Sequence, residues 1–241
     1  MANDHTNNIR HERNQLSQRA HRRLIGYLGL FLPLLLYLLA GLRRTEDLPR
    51  WDLLHSVSAY YYTGGVAVFV GVLFALSLFL FTYPGYKGVK IDRAVGAVGG
   101  AAALGVALFP TGAPNCLPEP TWWSEPLRYI HYASAVVLFI TFIVFSVWLF
   151  RKSNIPKRSD RPLGKRRRDD VCLACGIAMI ASVLWAGSSI FTKAPVFWAE
   201  AIAIVAFAIS WLVKGEAYEP VAHTIQRLMP KRSSSRAERT S

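Results

Sequence analysis

Residues 130–150 read IHYASAVVLFITFIVFSVWLF, residues 151–170 read RKSNIPKRSDRPLGKRRRDD, and residues 171–191 read VCLACGIAMIASVLWAGSSIF. Two runs free of Asp, Glu, Lys and Arg thus enclose a hydrophilic stretch that carries nine basic residues. A hydrocarbon core about 30 Å thick takes roughly 20 helical residues, so each run has the length of a membrane-crossing helix. The basic stretch between them belongs on the cytoplasmic side.

Working outward, the same reading finds four more apolar runs, at 24–42, 64–83, 94–109 and 195–213, of which only the last holds an acid, Glu200. With 52% hydrophobic and 18% charged residues, the charges confined to the gaps, the chain is all-α: an integral membrane bundle of six transmembrane helices. The third run is short, spanning roughly 24 Å, and is accommodated by snorkelling of Arg93 or slight thinning of the bilayer. Gly96 and Gly100, with Ala101 and Gly105 repeating the interval, allow close backbone approach and predict that this helix lies at the bundle centre.

With six spans and a cytoplasmic N-terminus, 23 of the 28 Lys and Arg fall on the cytoplasmic side. Both termini are therefore cytoplasmic and the location is the cell (inner) membrane. Residues 1–23 are read as a disordered basic N-terminus, 24–215 as the membrane domain and 216–241 as a basic tail. Arg22 and Arg23 precede the first run in the manner of a signal peptide, but no A-x-A-like site follows, so the run is read as an uncleaved anchor. The net charge of +13 is topogenic and suits anionic lipid heads, so membrane lipids are the expected partners and nucleic acid is not. Cys172 and Cys175 form a lone CxxC without a second pair and are read as small helix residues, while Cys116 stands alone on the outward side.

The unusual chemistry gathers on the outward segments. Residues 55–63, HSVSAYYYT, lead into the second run, and Trp51, Leu53, Leu54 and Val57 are expected at the interface with the tyrosines at head-group depth. Residues 110–129 hold five prolines and the pair Trp122 and Trp123, an irregular cover over the bundle mouth that delivers His131 to the fourth span. An acid within a span costs roughly 2.5–3.5 kcal/mol at a helix centre, so Glu200 needs a partner, with His131 or Arg128 within reach. The ligand-binding candidates are His55, Ser56, Ser58, Tyr61, His131, Ser134 and Glu200, with Ser58 and Tyr61 one turn apart.

Several segments carry a resemblance. SVSAYYYTGGVAVFVGVLFALSLFLFTYPGYK, ALFPTG, RYIHYASA, KRRRDDVCLACG and FWAEAIAIVAFAISWLVKG together resemble an uncharacterised bacterial family of six-span membrane proteins. The layout is also similar, more remotely, to the Frag/DRAM group of lipid-associated proteins. The family resemblance implies the six-helix fold and supports Ser58, His131 and Glu200 without naming a substrate. The HxxxH pair of the alkaline ceramidase superfamily is missing, since the last two runs contain no histidine.

The function expected from these residues is binding of a lipid or small amphiphile at the outward-facing polar and aromatic site, with no catalytic residue assigned and no cofactor required. Membrane-embedded lipid hydrolysis, with His55, His131 and Glu200 as the residues available to zinc, is the first alternative. Proton-coupled transport through Glu200 is the second, against which stands the lack of an internal repeat.

Overall fold

The computed structural model describes residues 2–42, 51–85, 90–114, 117 and 119–216, the side chains of 2–15 and Ile190 excepted. Among the described residues there is no strand. Six α-helices follow one another: α1 (Ala2–Leu42), α2 (Val66–Phe81), α3 (Lys90–Leu108), α4 (Glu125–Val147), α5 (Leu163–Thr192) and α6 (Phe197–Lys214). A 3-10 helix, Ser58–Tyr62, precedes α2. Five stretches, Leu16–Leu42, Lys90–Leu108, Glu125–Arg151, Leu163–Ser189 and Phe197–Lys214, are long and apolar enough to cross a membrane. Their outer faces carry large apolar side chains in the open, among them Leu34, Val98, Val136, Ile140 and Leu184. A water-soluble protein does not surround itself with such a surface.

Two helix limits differ from the apolar runs. The second run, 64–83, yields only a 16-residue helix because Gly64 and Gly65 form a turn in front of Val66. The third, short as a run, becomes a 19-residue helix because it starts at Lys90, outside the apolar stretch. Asp92 in its first turn is buried and receives Lys152 Nζ at 2.6 Å. The polar segment expected to be disordered is instead continuous with α1, whose first glycine or proline is Gly26. No helix breaker interrupts propagation there. Arg19 and Arg168 both pair with Glu216, and Arg23 donates to the Gly215 and Glu216 carbonyls, so α1, α5 and α6 are tied at their basic ends. The remainder of the expected tail, and Cys116, lie outside the described residues.

The helices form a closed ring in which each packs on its sequence neighbours and α6 returns to α1, with α4 and α6 also meeting. The core is aromatic along that contact. Phe142 and Phe207 stack at 3.5 Å between centroids, and Trp211 is fully buried among Tyr83, Phe145 and Phe150. Contrary to the expectation from its small residues, α3 is a member of this ring between α2 and α4, and α6 is the more central helix. The glycines serve pairwise contacts. A Cβ on Gly96 would lie 2.7 Å from the Leu80 carbonyl oxygen in α2, whereas one on Gly99 would lie 2.6 Å from Thr141 Cγ2 in α4. Ala101 is exposed, so of the second repeat of the spacing only Gly105 makes a contact, with Ser134 of α4.

Cys172 and Cys175 are free thiols buried against the α6 side of the bundle, with Cys172 Sγ 3.9 Å from the Ser210 carbonyl oxygen. They behave as small core residues, as their lone spacing suggests.

Candidate functional site

At the end opposite the basic loops, the chain before α2 and the start of α6 cap one another. The first N–H groups of a helix lack intrahelical acceptors. Here the Val196 and Phe197 N–H groups donate to the His55 carbonyl, at 2.7 and 2.9 Å. In return Glu200 Oε2 accepts the Val57 N–H at 2.6 Å, and the Ser58 N–H also serves this carboxylate. The acid expected to pair with His131 or Arg128 is thus held by backbone donors at the head of the 3-10 helix. Ser56 Oγ accepts the Ala59 N–H within the same turn, and is buried.

This arrangement fixes Ser58, whose hydroxyl meets α4. His131, buried in the second turn of α4, has Nε2 at 3.0 Å from Ser58 Oγ and Nδ1 at 2.6 Å from the Phe109 carbonyl oxygen. Helix α4 starts at Glu125, with Ser124 at its cap and Pro126 in its first turn, earlier than the apolar run, which is why His131 lies within the bundle instead of at its rim. One residue therefore links both others: Ser58 meets His131 through its side chain and Glu200 through its backbone.

These groups wall a cavity of about 520 Å³, lined also by His55, Ser56, Thr111, Arg128, Ser189 and Lys193. Thr111 is buried, and its hydroxyl has no hydrogen-bond partner among the described residues. Such an unmatched buried hydroxyl costs roughly 1–3 kcal/mol until a polar group meets it. Arg128 lies over the Trp123 ring at 5.1 Å and 3.9 Å from Glu119 Oε1, and Lys193 ends α5 with a left-handed φ of 55°. A non-glycine residue accepts that conformation at a cost of about 1–2 kcal/mol. Partial burial at the wall lowers the pKa of His55. Burial raises that of Tyr62 to about 12, keeping its phenol protonated as a donor to the Thr111 carbonyl.

Beneath the cavity is a narrow apolar space of about 60 Å³ between α1, α2, α4 and α6. Leu73, Leu76, Leu138 and Phe207 line it, and it shares Ser58, Ala135 and Glu200 with the polar cavity above. A larger apolar groove of about 780 Å³, lined by residues of α1, α5 and α6 such as Pro33, Ala178 and Ile202, opens on the side of the bundle.

Of the sequence candidates, His55, Ser56, Ser58, His131 and Glu200 line the polar cavity, and Tyr61 and Ser134 do not. Tyr61 packs edge-on to Phe69, and Ser134 occupies the space that a side chain on Gly105 would need. The tyrosines are not a uniform interfacial belt: Tyr60 is fully buried against Phe197. Thr111, Arg128, Ser189 and Lys193 were outside the candidate set. The readable signal was that Arg128 and Lys193 are the sole Lys or Arg of residues 110–129 and 192–194.

The three residues considered for zinc do not present a metal-binding set. Both ring nitrogens of His131 are engaged and the Glu200 carboxylate serves backbone N–H groups. Among the described residues no group of three His, Cys, Asp or Glu side chains is placed to hold a metal ion. No protein-family model, curated protein or solved structure matches the chain.

Proposed function

We propose that this chain is a six-span protein of the cell inner membrane, with both termini cytoplasmic, that binds a lipid or similar single-tailed amphiphile at its outward-facing end. The observation that carries the reading is that a polar cavity and an apolar one adjoin at Ser58, Ala135 and Glu200, which line both. An amphiphile has that same division. Its head group would meet Arg128, Lys193 and the unmatched Thr111 hydroxyl, and the first carbons of its tail would enter between Leu138 and Phe207, the rest following as these side chains part, where burial is worth about 25 cal/mol per Å² of apolar surface. The two cations favour an anionic or zwitterionic head.

The orientation rests on the basic residues. Arg19, Lys152, Arg161, Lys165 and Arg168 engage Asp92, Asp169 and Glu216 at one end of the bundle, opposite the cavity. On this reading α2 spans with the help of its flanking turns and slight thinning of the bilayer, an inexpensive adjustment. Membership of the bacterial six-span family belongs to the same proposal and rests on the quoted motifs.

A photoactivatable fatty-acyl lipid with a diazirine on its chain tests the reading in membranes. Irradiation should place adducts on peptides containing Leu138 or Phe207, suppressed by an excess of unlabelled lipid extract. Adducts confined to outward faces such as Leu184, insensitive to competition, would refute it.

A further inference from the structure

We propose that Ser58 and His131 are a nucleophile and its general base, and that the amphiphile bound here is an acyl ester which this pair hydrolyses. The substrate class rests on the binding reading above. The pair itself stands on its own geometry.

The carbonyl oxygen of Phe109 can only accept a hydrogen bond, so His131 Nδ1, 2.6 Å away, carries the proton. In the neutral ring Nε2 is then a lone pair. Ser58 Oγ, at 3.0 Å, must donate to it. The direction of this bond is therefore forced by a backbone group on another segment, and it is the direction a general base requires. A third group that orients the base completes such a site, and here the Phe109 carbonyl has that role.

Position supports the same conclusion. Ser58 lies at the junction of the polar and apolar cavities, where the carbonyl carbon of an acyl chain entering the lower space would come to rest. Ser58 is half-buried and lines both cavities, and its backbone N–H is fixed by Glu200. Arg128 and Lys193 line the same cavity and are the cations available to the charge that develops on the carbonyl oxygen.

The steps balance with water as co-reactant. Ser58 Oγ attacks the ester carbonyl as its proton passes to His131 Nε2, and the ester C–O bond breaks as His131 returns that proton to the leaving alcohol. Water then attacks the acyl-Ser58 ester, giving its proton to Nε2. The acyl–Oγ bond breaks, Ser58 recovers the proton, and the free acid departs. Nothing is oxidised or reduced.

Purified full-length protein in detergent should react with a fluorophosphonate probe, with loss of fluoride and a phosphonyl adduct on the peptide containing Ser58. It should also hydrolyse p-nitrophenyl octanoate. Ser58→Ala should abolish both, and His131→Gln should slow both by about 10²-fold or more, the usual scale of general-base catalysis. Melting curves establish that each variant is folded. Should Ser58→Ala not fold, Ser58→Cys keeps a small polar side chain and must equally lose the fluorophosphonate adduct. Absence of an adduct on wild-type Ser58, or labelling unchanged in His131→Gln, overturns the proposal. Lipid retention by the same preparations, read by native mass spectrometry, separates the two readings: retention without labelling leaves a binding site and removes the enzyme.

Discussion

Glu200 Oε2 and the backbone nitrogen of Val57 are 2.6 Å apart, a bond that joins residues 143 positions distant in the chain. With the His55 carbonyl on the first turn of α6, it makes a reciprocal cap that fastens the 3-10 helix bearing Ser58 to the most central helix of the bundle. Removing the acceptor leaves buried N–H groups on Val57 and Ser58, each costing roughly 1–3 kcal/mol. Glu200→Ala should therefore lower the melting temperature in detergent clearly more than Glu200→Gln, whose amide oxygen still accepts. Equal melting temperatures for the two variants would show that the cap contributes nothing.

Gly96 at the α2–α3 contact and the exposed Gly71 of α2 give predictions of opposite sign. A side chain at Gly96 meets the Leu80 carbonyl, which is backbone and cannot turn away, whereas Gly71 has nothing within 4 Å of a Cβ. Gly96→Leu should sharply reduce the yield of folded protein. Gly71→Ala should be neutral or stabilising, by up to about 1 kcal/mol, because it reduces backbone freedom in the unfolded chain. Thermal melts of the two variants beside the wild type check both signs.

Orientation is open to a direct assay in cells. Alkaline phosphatase fused after Ser153, between the basic ends of α4 and α5, should be inactive, and fused after Trp123, beside the cavity, it should be active. The reverse pattern would place the cavity in the cytoplasm.

How much of this was legible follows from the range of the forces involved. Apolar runs and basic gaps reveal helices and ends because burial in lipid acts residue by residue, so five helices of membrane-crossing length and the helical class are readable from hydropathy. Helix limits are less so, because α3 starts at Lys90 and carries in its first turn Asp92, paired with Lys152, a contact that a hydropathy run ignores. The types of His55, Ser58, His131 and Glu200 marked them as unusual in or near a span. Their pairing was unreadable, since Ser58 and His131 are 73 residues apart and both answer to a third segment, the Phe109 carbonyl. Tyr60 was misplaced for a related reason: an aromatic near a helix end suits the interface and the core equally well until its neighbours are known.

His55 supplies a pH dependence. Burial lowers its pKa below the unfolded value of about 6.5, so the folded state binds fewer protons than the unfolded one in the interval between the two. Its neutral form supports the fold fully above that interval, and stability falls as pH drops from about 6.5 through the folded value. Between pH 7 and 5 the wild type should lose more melting temperature than His55→Gln, which cannot titrate. Parallel pH profiles would show that His55 is not desolvated at the cavity wall.

Binding at the junction of the polar and apolar cavities is the central claim, and Ala135 is the small side chain shared by both. Native mass spectrometry of the purified protein after incubation with a native lipid extract tests it, comparing wild type with Ala135→Phe, which fills the junction, and Leu184→Phe, an outward-facing control. The account predicts one retained amphiphile on the wild type and on Leu184→Phe, and at least a tenfold loss of occupancy on Ala135→Phe at an unchanged melting temperature. Equal occupancy of all three proteins would contradict it.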